Sequence, residues 1–384
     1  PFRIGPIDEP IQVSTEEDLI NVFGKPLSTD AQYEYWQSAS SFLSYGGVLK
    51  VVRTDSTNLN TANAGVGVAS DTTLKIKNYD DYNASYTSSA DYNWAAKTPG
   101  SWANGLKVCV IDDAADQTIG ITTTSLLDYG CVVGNGVTVA VSDAVIPGAG
   151  TTSTFTGYLK GIITGVSTDA TGAAGGSTFD VKLTHRVTGA GGTASYAETK
   201  IDYSEGTRFG SIKESDSIFF VSNSAGSSGI NTGEPNAPNT AVSFTVQTAV
   251  DWYNSQTLDL DNASIFWKSL APKPTSSVYA TDRSGKGDGI HVAVVDDFGV
   301  VTGIKGNVIE KHLSLSKAVD AVSSVNSPQK IYYKNYIADF SDNIYAGYNP
   351  SQARDNYHGT EPRATGFGTG FTPFTTAQGL WAQN

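Results

Sequence analysis

The sequence predicts an α+β, multidomain chain: a small α/β core unit followed by β-rich, sandwich- or barrel-like inserted domains. Three observations carry this. Helical periodicity is confined to residues 1–53 and to a short stretch at 333–340. From Ser56 to Ala249 short β-branched runs alternate with glycine clusters, where positive φ and tight turns come easily. The length, 384 residues, exceeds the roughly 150 of one domain.

Within the first unit, Ser14 and Glu17 have the spacing of a capping box, in which hydroxyl and carboxylate each satisfy an orphan backbone donor. Leu19, Ile20 and Phe23 then form an apolar stripe, and Gly24 followed by Pro26 supplies a stop. A second helix is expected from Thr29-Asp30, with Tyr33, Trp36, Ala39, Phe42 and Leu43 on one face and Gly46-Gly47 ending it. Val48 to Arg53 reads as a buried strand. A strand, two helices and a strand cannot close a core alone.

In the β-rich stretch, runs such as Val137 to Val141, Phe155 to Val166 and Phe179 to Val187 are expected strands, and Ser224 to Pro238 a long loop. An internal echo brackets the stretch. Gly105 to Asp113 aligns with Gly289 to Asp297, each a strand leaving a glycine turn and ending on paired aspartates. One reading makes these equivalent strands of a middle domain interrupted by an insertion; the other is convergent strand chemistry. Beyond them come a hairpin turning at Phe298-Gly299, a return strand over Val308 to Leu315, and a helix over Tyr333 to Phe340 presenting Tyr336, Ile337 and Phe340 on one side.

Composition narrows the function. Lys and Arg number 25 against 38 Asp and Glu, and 25 − 38 gives a net charge of −13. An acidic chain without basic runs repels a phosphate backbone, so nucleic acid is excluded as a partner. Nothing approaches the ~20 apolar residues of a membrane-spanning helix, so no direct membrane insertion is expected. Methionine is absent and the chain opens on Pro1-Phe2-Arg3, which reads as an excerpt of a longer polypeptide. Cys109 and Cys131 read as two buried thiols; pairing them would need Cα atoms within about 7 Å.

No constellation of residues with the spacing of a catalytic, cofactor-binding or metal site stands out, so none is expected. His185, His291 and His312 sit in strand-like segments and His358 in a polar loop, none at zinc-ligand spacing. Asp112-Asp113 and Asp296-Asp297 lack a calcium-loop pattern and read as strand-end turn residues. Gly285 to Gly289 lacks phosphate-loop spacing, and Gly366 to Phe371 lacks the strand and helix of a dinucleotide fingerprint. There is no G-x-S-x-G elbow. The Asn83 and Asn262 sequons matter only in a eukaryotic secretory context.

One constellation is more specific. Gly5-Pro6, Val13, Glu16-Glu17-Asp18-Leu19, Phe23-Gly24-Lys25-Pro26, Phe42 to Gly47 and Val51-Val52-Arg53 follow one another closely, and Lys97-Thr98-Pro99-Gly100-Ser101-Trp102-Ala103-Asn104 precedes a strand. Their order and spacing resemble those of contractile tail sheath proteins of long-tailed, myovirus-type bacteriophages. Ile265 to Pro274, with Val308 to Tyr348, is similar to the same region in sheaths of cyanobacterial phages.

The resemblance implies a non-enzymatic structural subunit in a virion, assembled in the host cytoplasm, with no cofactor. It implies six subunits per ring, rings stacked helically around a tail tube, and contraction that drives the tube through the host envelope. The expected partners are copies of the chain, the tail tube protein, and baseplate and tail terminator proteins. The domain division expected is 1–57 as the N-terminal part of the sheath core, completed by sequence beyond 346 and past the chain end; 58–113 with 250–346 as a middle α+β domain; 114–249 as a variable β-rich insertion; and 347–384 as a connecting segment. Strand-exchanging arms fall outside the chain on this reading. The residues expected to matter are Gly24, Gly46 and Gly47 at helix ends, Trp36, Phe42 and Tyr45 in packing, and Arg53, Gly100 and Trp102 within the motifs. Low charge and abundant tyrosine suit contact surfaces. The competing reading is a β-rich surface module that binds glycan or protein, which predicts saturable glycan binding by residues 114–249. A polysaccharide-cleaving enzyme would need a carboxylate pair that nothing in the sequence singles out.

Overall fold

The computed structural model describes residues 2–26, 33–57, 59–64, 73–87, 92, 94–112, 117–121, 133–134, 136–145, 154–167, 177–188, 197–200, 207–208, 242–245, 252–260, 264–282, 287–324, 326 and 328–347. It mixes helix and strand in several small sheets.

At the N-terminus β1 (Pro10–Val13) pairs antiparallel with β2 (Leu49–Val52), and α1 (Glu16–Phe23) and α2 (Tyr33–Ser44) connect them. The capping box forms one residue later than expected. The Thr15 hydroxyl accepts from the Asp18 amide, and the Asp18 carboxylate accepts from Thr15 and Ser14, which also donates its hydroxyl. With Ser14 and Thr15 adjacent, the shorter Asp18 closes the box and Glu17 is left at the surface. The start expected for α2 at Thr29-Asp30 lies outside the described residues. Val13, Leu19, Phe23, Trp36, Leu43 and Val51 pack together as this unit's core.

Two expectations here are corrected. The strand ending at Val52 is half-buried, with Val51 in the core and Leu49 packed against it, because it is one of two strands covered on a single face. Phe42 and Tyr45 do not fill the core: they are 49% and 91% exposed. The buried face of α2 is Trp36, Ser40 and Leu43, which lies on a different side of the helix from Phe42.

The central sheet runs in the order β11 (Thr207–Arg208), β5 (Leu106–Asp112), β15 (Gly289–Asp296), β16 (Asn307–Ser316). The two echoing segments are therefore direct antiparallel neighbours, from Asp112 opposite Ile290 to Leu106 opposite Asp296. Both are buried on both faces, hence their continuous apolar runs. Leu106, Val108 and Val110 with Ile290, Val292 and Val294 face one core, which α6 (Tyr333–Phe340) helps cover. On α6 the buried residues are Tyr333, Lys334, Ile337 and Ala338; Phe340 stays exposed, its ring tilted against that of Tyr336 at 4.6 Å.

Against this core lies a sheet of β3 (Asn63–Ala64), β4 (Trp94–Ala96) and β17 (Ile344–Ala346), with β4 in the centre. The short α3 (Tyr79–Asp81) continues into a wider turn over Tyr82–Tyr86, and the Tyr82 and Tyr345 rings stack 4.1 Å apart. The remaining pieces are the β13 (Thr257–Asp259)–β14 (Ser264–Phe266) pair and the one-turn helices α4 (Trp267–Leu270) and α5 (Val278–Thr281).

The described strands of the stretch expected to be sandwich- or barrel-like form one antiparallel sheet. Its order is β10 (Ala197–Lys200), β9 (Ser177–Thr188), β8 (Thr154–Ser167), β7 (Gly136–Val145), β12 (Val242–Thr245). β6 (Gln117–Ile121) pairs with the other end of β9, and no pairing closes the sheet among the described residues. The loop expected at Ser224 to Pro238, Cys131, His358 and Gly366 to Phe371 lie outside the described residues.

Candidate assembly site

The two motif segments meet at Arg53. A parallel bridge pairs Arg53 with Ile7, and the Asp8 amide donates to the Arg53 carbonyl. The backbone thus fixes the side chain pointing inward, where only 7% of the residue is exposed. Its guanidinium donates to three main-chain carbonyls: Gly5 at 2.8 Å, Pro99 at 2.7 Å and Arg3 at 3.0 Å. A planar fork with five donors suits this task, since one cation can reach acceptors on separate segments of the chain. Burial lowers its pKa from 12.5 to about 10, so it still carries its charge at neutral pH. It holds geometry and exchanges no protons there.

Gly100 makes the close approach possible. It sits at φ +142, and a Cβ there would lie 2.8 Å from the Arg3 carbonyl oxygen. Its amide donates to Asn60, and Trp102 folds back to donate its indole N–H to the Thr98 carbonyl at 3.0 Å. The Gly5 amide reaches the Thr98 hydroxyl at 3.3 Å. Gly24, at φ +78, lies on the other side of the strap, where a Cβ would be 3.2 Å from Ile4 Cγ1. Of the expected residues, Arg53 and Gly100 meet the backbone of residues 3–5, Gly24 lies against the Arg3 and Ile4 side chains, and Trp102 closes onto Thr98 beside Gly100, which together fasten the N-terminal unit to the segment that leads into β5.

Over 52 residues the chain is 46% identical to the tail sheath protein of Enterobacteria phage T4. In that stretch it is tail-sheath-like. The match spans 14% of this chain and 8% of that protein's length, and no protein-family model matches the chain.

The other expected residues do not join the Arg53 clasp. Trp36 is buried in the N-terminal core. Phe42 lays its ring over Gly47, whose Cβ would sit 2.4 Å from it, while Gly46 turns at φ +78 with nothing within 4 Å. Tyr45 projects into solvent.

Three polar knots were not legible beforehand. Asp112 is no plain turn residue: its carboxylate meets Lys317 at 2.9 Å and Lys182 at 3.1 Å, all three at most 2% exposed. Lys182 comes from β9, so this cluster ties the inserted sheet to the central one. The Asp288 carboxylate accepts from the Ser277 amide and hydroxyl and from the Ser316 hydroxyl. The Glu310 carboxylate accepts from Ser341, the Asp342 amide and Asn343, with His312 at 2.8 Å. Burial raises the Glu310 pKa, but the His312, Ser341 and Asn343 hydrogen bonds outweigh it and leave it lowered. The one advance hint was the run of polar residues at strand ends, which says nothing about partners far along the chain.

Asp296 does behave as a strand-end turn residue. Its carboxylate accepts from the amides of Val300, Val301 and Thr302 and from the Thr302 hydroxyl. His291 is a satisfied strand histidine. Nε2 lies 2.9 Å from the Pro272 carbonyl, and Nδ1 accepts from the Ser314 amide at 2.9 Å. Ser314, at φ +55, is the extra residue of a bulge in β16 opposite His291. Among the described residues no group of three or more His, Cys, Asp or Glu is placed to hold a metal ion, and no helix is long and apolar enough to cross a membrane.

Proposed function

We propose that the chain is a structural subunit of a contractile phage tail sheath, with no catalytic role and no cofactor. The observation that carries this reading is the 46% identity to a tail sheath protein over 52 residues. On this reading copies polymerise as stacked six-membered rings around a tail tube, contract to drive the tube through the host envelope, and meet baseplate and terminator proteins at the ends of the tail. The protein is then a virion component assembled in the host cytoplasm. Residues 1–57 belong to the sheath core, 58–113 with 250–346 form a middle domain, and 114–249 are an outer insertion.

The Arg53 clasp supports the reading on physical grounds. A subunit that must slide past its neighbours as a rigid body needs its own pieces fastened, and three charge-assisted bonds to backbone do that without depending on side-chain identity. Contraction requires two packings of the same subunits, the starting one trapped behind a kinetic barrier. Electron microscopy of the full-length protein tests the proposal. Tubes or stacked rings are expected; monomers under all conditions would overturn it.

A further inference from the structure

Two apolar surfaces on separate parts of the chain lie exposed among the described residues. On α2, Tyr35 (70% exposed) and Phe42 fall seven residues apart on one stripe, and Tyr45 extends it by most of a turn. Ser38 lies between them with its hydroxyl turned back onto the Glu34 carbonyl, so no side-chain donor interrupts the stripe. The second surface is the tip of the β15–β16 hairpin, where Val300, Val301 and Ile304 (66%) project into solvent.

The tip is built to keep its shape. The Asp296 carboxylate gathers three consecutive amides, and the Gly306 amide returns to the Asp296 carbonyl at 2.8 Å. A turn that only connected two strands would carry polar residues there. A rigid tip loses little conformational entropy on docking, and tyrosines on a helix offer large contact area with few rotatable bonds. The charges also match: Glu34 is the one charged side chain in α2, and Lys305 the one charged side chain in residues 298–306, both exposed.

We propose that the α2 stripe of one copy receives the Val300–Ile304 tip of a second copy. The contact joins two different surfaces, so it is head-to-tail and propagates instead of closing as a symmetric dimer. This rests on the assembly reading above and names the surfaces that read one another.

The test uses the full chain in two forms, a stripe variant (Tyr35→Glu with Tyr45→Glu) and a tip variant (Val301→Glu with Ile304→Glu), followed by light scattering and electron microscopy. The altered side chains are exposed and leave the Asp296 cap and the Phe42–Gly47 packing intact. Each variant alone is expected to lose the assemblies that the unaltered chain forms. An equimolar mixture is expected to restore association between the two variants, beginning with pairs of twice the 40.4 kDa of one chain, since one intact stripe meets one intact tip. That mixed dimer also shows that both variants are folded. Assembly of the tip variant alone would mean stripe-to-stripe pairing and overturn the proposal, as would assembly of the stripe variant alone or a mixture that stays monomeric. If the unaltered chain never assembles, the sheath reading fails as well; if it assembles and neither variant differs from it, only this pairing fails.

Discussion

Replacing Arg53 with methionine removes the guanidinium that spans the carbonyls of Arg3, Gly5 and Pro99 while keeping much of the side chain's length. Hydrogen bonds to a charged donor contribute roughly 1.5–3 kcal/mol each, so three amount to about 4–9 kcal/mol. Against this stands the burial that lowers the pKa from 12.5 to about 10, equivalent to about 3 kcal/mol that methionine does not incur. The net loss is then roughly 1–6 kcal/mol, with about 3 kcal/mol as the working figure. Arg53→Lys should recover only part of it, because one ammonium cannot reach three diverging carbonyls. Hydrogen exchange read by mass spectrometry suits the question, since it reports local opening in a chain that need not unfold in one step. Amides of residues 3–8 and 97–102 should exchange about a hundredfold faster in Arg53→Met, as about 3 kcal/mol implies. Exchange within twofold of the unaltered chain in both segments would mean that the guanidinium fastens nothing.

Three further outcomes can be measured. Gly100→Ala places a Cβ against the Arg3 carbonyl at a left-handed φ and should destabilise the same segments by about 2–4 kcal/mol, whereas Gly46→Ala, with open space around it, should cost about 1–2 kcal/mol; urea unfolding midpoints would rank them. Burial lowers the pKa of His291 below its ordinary 6.5, opposed by the hydrogen bond to the Pro272 carbonyl. Its contribution is therefore fully present above about pH 6.5 and lost as pH falls through the depressed native value. The melting temperature should drop more between pH 7.5 and 5 for the unaltered chain than for His291→Gln. Asp112→Ala deprives two buried ammonium groups of their shared carboxylate and should destabilise by about 3–5 kcal/mol, visible as a lowered melting temperature.

Where the sequence was legible, the reason was local. The helix at Tyr333–Phe340 and the return strand after Gly306 follow from short-range periodicity, and the matched runs at 106–112 and 289–296 proved to be neighbours because both carry the double-sided burial of a central strand. Where it was not, two local solutions were equally good or the partner lay far away. Ser14–Glu17 and Thr15–Asp18 have the same spacing, and the chain forms the second. Helix α2 carries two apolar stripes, so spacing alone misassigned Phe42 and Tyr45 to the core. Arg53 reads as the end of a strand until the chain brings residues 3–5 and 99 to it, and the Lys182 and Lys317 partners of Asp112 lie 70 and 205 positions away.

Because Asp112 faces Ile290 across two hydrogen-bonded strands, everything between them departs and returns at points about one strand spacing apart, some 5 Å. For the central sheet that long excursion is equivalent to a hairpin loop. Doubling the length of a flexible loop adds only about 0.6 kcal/mol to the entropy of closing it. The inserted sheet is thus an exchangeable cassette: its size and sequence can drift or be swapped while β5 and β15 keep their register, provided that a lysine still reaches Asp112 from the cassette side and β11 still pairs with β5.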